Sequence, residues 1–185
     1  MQQRIRENRV HFGDDHTTVP NNKTYLRDTE FQSLTSMRFV DGRAASKRLA
    51  ALFGVKVFTN PKDEFLLKDL MKAFGIKGSD VVMDFFAGSG TTMHSVMELN
   101  LEQTSTCRCI LVQEREDLQL ALARATGSAR KVIENAIAYL TKKRRPPNIA
   151  EIAKERIRLA GRSLKTANAL TRPDLDVGFR VLRID

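Results

Sequence analysis

Residues 81–92 read V-V-M-D-F-F-A-G-S-G-T-T, and their order decides the fold class. A short apolar run ends in Asp84, and Phe85-Phe86-Ala87 lead into Gly88-Ser89-Gly90. Thr91 and Thr92 then open an amphipathic stretch, Met93 to Leu99. Strand, glycine turn, helix start is how an α/β domain brings backbone close to a nucleotide-like ligand at a helix N-terminus. The glycines remove Cβ atoms from the approach and admit φ values that other residues avoid. No lysine follows Gly90, which argues against a P-loop and so against an ATP or GTP site. The third glycine of a dinucleotide fingerprint falls on Met93, so that motif is also incomplete. On the glycines alone, a turn that merely joins a strand to a helix stays open as a reading.

Composition sets wider bounds. The 185 residues suffice for one core with an appendage. Hydrophobic content is 42%, in the globular range. No apolar run approaches the ~20 residues that span a bilayer. The stretch Met1–Val10 carries Arg4, Arg6 and Arg9 without an apolar core, so it does not read as a secretory signal. Cys107 and Cys109 are the two cysteines; a C-x-C pair with no histidine nearby is a poor zinc site, and no metal is expected. Sparse cysteine makes a reducing cytoplasm the expected compartment.

The net charge of +9 and a pI near 9.9 favour a polyanionic partner, nucleic acid first. Between Thr141 and Lys165, nine bases face Glu151 and Glu155, a net +7. The run Lys142, Lys143, Arg144, Arg145 is the candidate nucleic-acid contact, since phosphate contacts give affinity without sequence choice. A solvated charged surface accounts for the same run equally well.

Along the chain, 1–36 is polar and turn-rich, with a short strand expected around Arg9–Phe12. A helix is expected over Gly42–Phe53, stopped by Gly54. A second is expected from an Asn60-Pro61 cap to about Phe74, with Phe65, Leu66, Leu70, Met71 and Phe74 on one apolar face. Asp80–Phe86 reads as a buried strand, Thr91–Leu99 as helix and Cys107–Gln113 as a second strand. Leu118–Leu140 has helical spacing interrupted near Gly127, and Ile149–Ala160 is a clear helix with Glu151/Lys154 and Glu155/Arg158 placed to pair. Val177–Ile184 alternates like a last strand. The order implies an α/β fold with a parallel sheet, whose small strand number would leave an edge in need of cover.

Several segments together become specific. The D-x-F-x-G-x-G form at 84–90 resembles the first motif of S-adenosylmethionine-dependent methyltransferases. Phe58-Thr59-Asn60-Pro61-Lys62-Asp63-Glu64-Phe65 lies upstream of it. Ile110-Leu111-Val112-Gln113, Ile149–Arg158 and Gly178-Phe179-Arg180-Val181-Leu182 lie downstream. In this order they resemble the C-terminal, cofactor-binding half of the modification subunit of type III restriction–modification systems. Those subunits are β-class adenine-specific DNA methyltransferases whose cofactor motifs follow the catalytic ones. The resemblance covers Leu34 to Asp185, with a weaker echo at Val19–Leu26.

The resemblance implies a partial Rossmann-like methyltransferase domain over 37–185, with about three mainly parallel strands and flanking helices. It implies that 1–36 is the tail of an upstream target-recognition region. It implies S-adenosylmethionine as cofactor. Asn60, Pro61 and Lys62 would line the methionine and adenine side, with Phe65 as a wall. Asp84 would bind the amino group. Phe86, Ala87, Gly88, Ser89, Gly90 and Thr91 would form the turn around the methionine moiety. The ribose partner is split between Gln113 and Glu114, because a glutamine stands where an acid is usual. Implied partners are duplex DNA, an N-terminal methyltransferase half and a restriction subunit, with no membrane and an oligomer open.

One departure matters most. The family's catalytic tetrad, Asp/Asn/Ser-Pro-Pro followed by an aromatic, occurs nowhere in the chain. The proline pair Pro146-Pro147 is flanked by Arg145 and Asn148. The tetrad holds a weakly nucleophilic base amine in line with the sulfonium methyl and stacks on the extruded base. No catalytic residue is therefore assigned, and turnover by this chain alone is not expected. Two alternatives stay open: a cytosine-amine methyltransferase half, and a non-catalytic basic module that holds DNA or a partner subunit.

Overall fold

The computed structural model describes residues 1–28, 35 and 37–183, which belong to two units, Met1–Met37 and Arg38–Asp185. In the first, helix α1 (Gln2–Arg6) precedes an antiparallel pair, β1 (Val10–His11) and β2 (Asn21–Asn22). The strand expected near Arg9–Phe12 is thus present, but it pairs with asparagines that read as a turn. Tyr25 closes this unit: its hydroxyl donates to Asn8 O, and the Arg9 and Arg27 guanidiniums lie over its ring.

The second unit opens with α2 (Gly42–Phe53), whose bounds match the sequence expectation. The Asp41 side chain caps it at Arg43 N, and Gly54 ends it at φ +76°. Helix α3 (Glu64–Ala73) starts later than predicted. Its cap is Asp63, whose Oδ1 accepts from Phe65 N at 2.9 Å and Leu66 N at 3.0 Å. Residues 60–62 are therefore released from the helix and form a separate corner before it. The predicted apolar face is also narrower: Met71 is buried, while Phe65 and Phe74 are exposed.

Strand β3 (Val81–Asp84), helix α4 (Thr91–Gln103) and strand β4 (Arg108–Leu111) form a β-α-β unit with the two strands parallel, Val81 opposite Arg108 and Asp84 opposite Leu111. The ladder runs one step further at its C-terminal end, where Val112 N donates to Asp84 O and Ala87 N to Val112 O. One sheet face, with Val82 and Cys109, packs against Met71 of α3 and Val96 and Leu99 of α4. The other face is open, contrary to the buried strand expected. Val81 is 46% exposed, Met83 48%, Phe85 63% and Ile110 49%. The reason is architectural: helices cover one side of this sheet among the described residues.

Helices α5 (Leu118–Arg124), α6 (Gly127–Lys142) and α7 (Ile149–Ala167) complete the unit. A second core joins Leu49 and Phe53 of α2, Val57, Leu118, Ala136 and Leu140 of α6, and Ile152 of α7. The third strand expected over Val177–Ile184 is corrected: 177–183 form no strand, and Ile184 lies outside the described residues. With no neighbouring strand to pair with, this segment packs through side chains, Val177 against Gly161 and Phe179 under the Arg158 guanidinium. The parallel sheet therefore has two strands rather than three. No helix among the described residues is long and apolar enough to cross a membrane.

Asn100, near the end of α4, ties helix to sheet. Its Nδ2 donates to Cys107 O at 2.9 Å, while its Oδ1 accepts from Cys107 N at 2.8 Å and Ser105 Oγ at 2.9 Å. Asn100→Ala strands a buried N–H and a buried carbonyl, so urea unfolding should show a loss of about 2–4 kcal/mol.

Candidate functional site

The glycine turn leaves β3 at Asp84 and is shaped by that residue. Asp84 Oδ1 accepts from Phe86 N at 2.9 Å, and Oδ2 accepts from Thr92 Oγ1 at 2.5 Å. One carboxylate thus spans the turn from strand end to helix start. Gly88 and Gly90 lie at φ +53° and +77°, the left-handed region. At Gly90 a Cβ would stand 3.1 Å from Ala153 O of α7, so the turn sits directly on that helix. Ala87, Ser89 and Thr91 are buried with their side chains turned inward, whereas Phe86 is 91% exposed. Gly90 is buried as well and Gly88 is half-buried. Helix α4 follows with Gly90 as an N-cap that offers no side-chain acceptor, so its first N–H groups keep their donor capacity.

The corner at 58–62 lies beside this turn. The Phe58 ring comes within 3.6 Å of where a Gly88 Cβ would be, Pro61 is buried, and Asn60 and Lys62 are exposed. What fixes corner to turn is a charge cluster that the sequence reading did not identify. Arg156 of α7 is 1% exposed. Its Nη1 donates to Ser89 Oγ at 2.9 Å and Thr91 Oγ1 at 2.6 Å, and its Nη2 faces Glu64 Oε2 and His94 Nδ1, each at 3.4 Å. Glu64 also accepts from Arg48 Nε at 2.6 Å, and its carbonyl accepts from Ser95 Oγ at 2.8 Å. Arg48 reaches Asp63 as well. Burial draws Arg156 down to about 10, still protonated at neutral pH, with Glu64 opposing the fall. Burial, and then the charge of Arg156, push His94 down to about 4, which leaves it a neutral acceptor for the guanidinium.

One signal could have found Arg156. It follows Ile152 and precedes Ala160 by four residues each, so it lies on the apolar face of α7 rather than the wet one. Its inclusion in a phosphate-binding stretch from Thr141 to Lys165 is corrected accordingly. Lys154 pairs with Glu151 and Arg158 with Glu155, as the spacing predicted. Lys142 at the end of α6 and Lys143, Arg144 and Arg145 beyond it are exposed, as are Arg162 and Lys165 of α7, and Lys143 rests over the Tyr139 ring.

Gln113 and Glu114 lie at the end of β4, and their side chains differ in availability. Gln113 Oε1 accepts from Gly88 N at 2.6 Å and its Nε2 donates to Glu114 O, so its amide is engaged in holding the turn. The Glu114 carboxylate is exposed beside it. Phe65 lies elsewhere. It lines a hollow of about 170 Å³ with Arg48, Leu52, Glu64, His94 and Glu98, and no residue of the glycine turn borders that hollow. Asn60, Pro61, Lys62, the turn and residues 113–114 are thus brought toward one strand end, and Phe65 and the basic run are not.

Comparison with known proteins decides the family. The DNA methylase family matches residues 5–124, more than half of the chain. The chain belongs to the DNA methylase family. It is 37% identical over 146 residues to the type III restriction-modification enzyme EcoP15I Mod subunit of Escherichia coli, covering 78% of this chain and 22% of that protein. It is 33% identical over 184 residues to the StyLTI Mod subunit of Salmonella typhimurium, covering 98% and 25%. A more distant relative, type II methyltransferase M.KpnI of Klebsiella pneumoniae, is 28% identical over 96 residues. The chain spans about a quarter of the length of these relatives. The resemblance read from the paired motifs therefore holds, and a DNA methylase requires a methyl donor.

Two measurements probe this DNA methylase site. Gly54 and Gly90 share nearly the same φ, but nothing lies within 4 Å of a Gly54 Cβ. Gly54→Ala should cost about 1–2 kcal/mol in urea unfolding from backbone strain alone, and Gly90→Ala more, because Ala153 must also shift. The second concerns pH. His94 is held at about 4 when folded against 6.5 when unfolded, so between these values the unfolded chain binds more protons. Its contribution to stability is complete above 6.5 and falls toward pH 4, by up to about 1.4 kcal/mol per pH unit. His94→Asn, which keeps an acceptor for Arg156 but cannot titrate, should flatten unfolding free energy across that window.

Proposed function

We propose that this chain supplies the cofactor-binding part of a site-specific, S-adenosylmethionine-dependent DNA adenine-amine methyltransferase of a restriction–modification system. The observation that carries the reading is the junction of the 58–62 corner with the glycine turn at the end of β3, followed by a helix with no side-chain N-cap. The donor chemistry fits the cofactor. The free N–H groups at the start of α4 suit the methionine carboxylate, and Asp84 keeps lone pairs for the amino group beyond the two bonds that shape the turn. Glu114 is the ribose partner in this reading, because Gln113 is already committed to Gly88. Asn60, Lys62 and the exposed Phe86 ring would border the nucleoside. The bound group supplies the sulfonium methyl; the chain's residues orient it and shield it from water.

The acceptor base needs a seat that this sequence lacks, since no Asp-Pro-Pro-Tyr-type tetrad is present. The open sheet face through Val81, Met83, Phe85 and Ile110 supports the idea that residues 37–185 are a partial Rossmann-like domain, completed by an N-terminal methyltransferase half. In this reading 1–36 belongs to the end of a target-recognition region, a restriction subunit is a further partner, and the protein acts in the cytoplasm. The exposed run Lys142–Arg145 favours a duplex DNA contact beside the cofactor role.

Calorimetric titration with S-adenosylhomocysteine, the unreactive product, tests the cofactor role. Binding by the native chain, weakened tenfold or more in Asp84→Ala and unchanged in Lys142→Ala, is expected. No heat with the native chain would contradict the reading. Incubation with DNA and labelled cofactor should give no transfer by this chain alone, and robust transfer would overturn the partial-domain assignment. For DNA, replacing Lys142, Lys143, Arg144 and Arg145 together by alanine should lower the slope of log affinity against log salt by roughly 3–4 if all four meet phosphates.

A further inference from the structure

We propose that Arg156 is the positioning residue of the cofactor turn, fixing the backbone at 88–91 and the corner at 60–62 in a single register, so that cofactor affinity depends on its two-pronged guanidinium. This rests on the reading of the turn as the S-adenosylmethionine site. Ser89 and Thr91 flank Gly90, and their hydroxyls lie 3.3 Å apart with Arg156 Nη1 bonded to both. The backbone between them, which carries the turn into α4, is therefore held by one nitrogen. The other prong meets Glu64, two residues beyond Lys62. Glu64 is held on its second oxygen by Arg48 and at its carbonyl by Ser95, one helical turn beyond Thr91.

Arg156, from the third element α7, thus joins the turn to Glu64 beside the Phe58 and Ser95 contacts. Gly90 packs on the same helix at Ala153, so α7 supports the turn at two points one helical turn apart. A lysine at 156 would carry the charge on one nitrogen, and seated between the two hydroxyls it would lack the second nitrogen that reaches Glu64. The fold as a whole does not require that fork, because the two hydrophobic cores are built from other residues. What requires it is the relative placement of two loops.

The test uses Arg156→Lys, with folding checked by circular dichroism and affinity for S-adenosylhomocysteine measured on the folded protein. We expect cooperative unfolding to persist and affinity to fall tenfold or more. Should Arg156→Lys fail to fold, Thr91→Val and Thr91→Ser take its place. The first removes an acceptor for Nη1 and should weaken binding several-fold; the second keeps the hydroxyl and should bind like the native chain. A role in stability alone would leave affinity of the folded variants unchanged. Native-like affinity in Arg156→Lys, or equal affinities in the two Thr91 variants, overturns the inference while leaving the cofactor reading intact. If the native chain itself binds no S-adenosylhomocysteine, the cofactor reading fails and the inference falls with it.

Discussion

Burying the guanidinium of Arg156 carries a desolvation penalty of several kcal/mol; pairing of its two Nη groups offsets it while Nε stays buried without a partner, and those Nη contacts organise what surrounds it. Ser89 and Thr91 turn inward to serve it, which pins the glycine turn between them. Glu64 must approach from α3, which draws the preceding corner against the turn. His94 must stay neutral, because a second proton beside the guanidinium is unfavourable. Three elements distant in sequence are thereby locked around one charge. A buried pair of this kind adds little net stability relative to apolar packing, but it specifies one arrangement over its alternatives, and here the arrangement is that of two loops at a strand end.

The two-stranded sheet has the complementary property. Its covered face is tied down by packing and by Asn100, while its open face presents Val81, Met83, Phe85 and Ile110 to solvent. Exposed apolar side chains in alternation on adjacent strands, with outer edges unpaired, are normally concealed in a soluble protein. The chain spans about a quarter of its relatives' length, and the proposed reading treats this surface as a seam with a further part of the methylase.

Much of this was legible in the sequence where local signals agree. Gly54 ends α2, the interruption at Gly127 divides α5 from α6, and the i,i+3 charges of α7 pair as their spacing requires. Features decided by non-local packing were not legible. Continuous hydrophobicity at 80–86 means two apolar faces, but not that both are covered within this chain. The alternation at 177–183 has the period of a strand, yet no neighbour offers a ladder. Asn60-Pro61 has the composition of a cap, and Asp63 does the capping because its carboxylate also meets Arg48. In the candidate site, the availability of the Gln113 amide depends on a bond to Gly88 that no sequence pattern encodes.

The central claim is that ligand contacts fall on the backbone of the glycine turn and on the corner Arg156 holds against it. Backbone amide NMR spectra of the chain, recorded as S-adenosylhomocysteine is added, test this most directly. The account predicts that the largest shift changes fall on the amides of 88–92, with Lys62 and Glu114 following and α6 undisturbed. Changes confined to residues outside that strand end, such as the hollow between Phe53 and Tyr139, would contradict it.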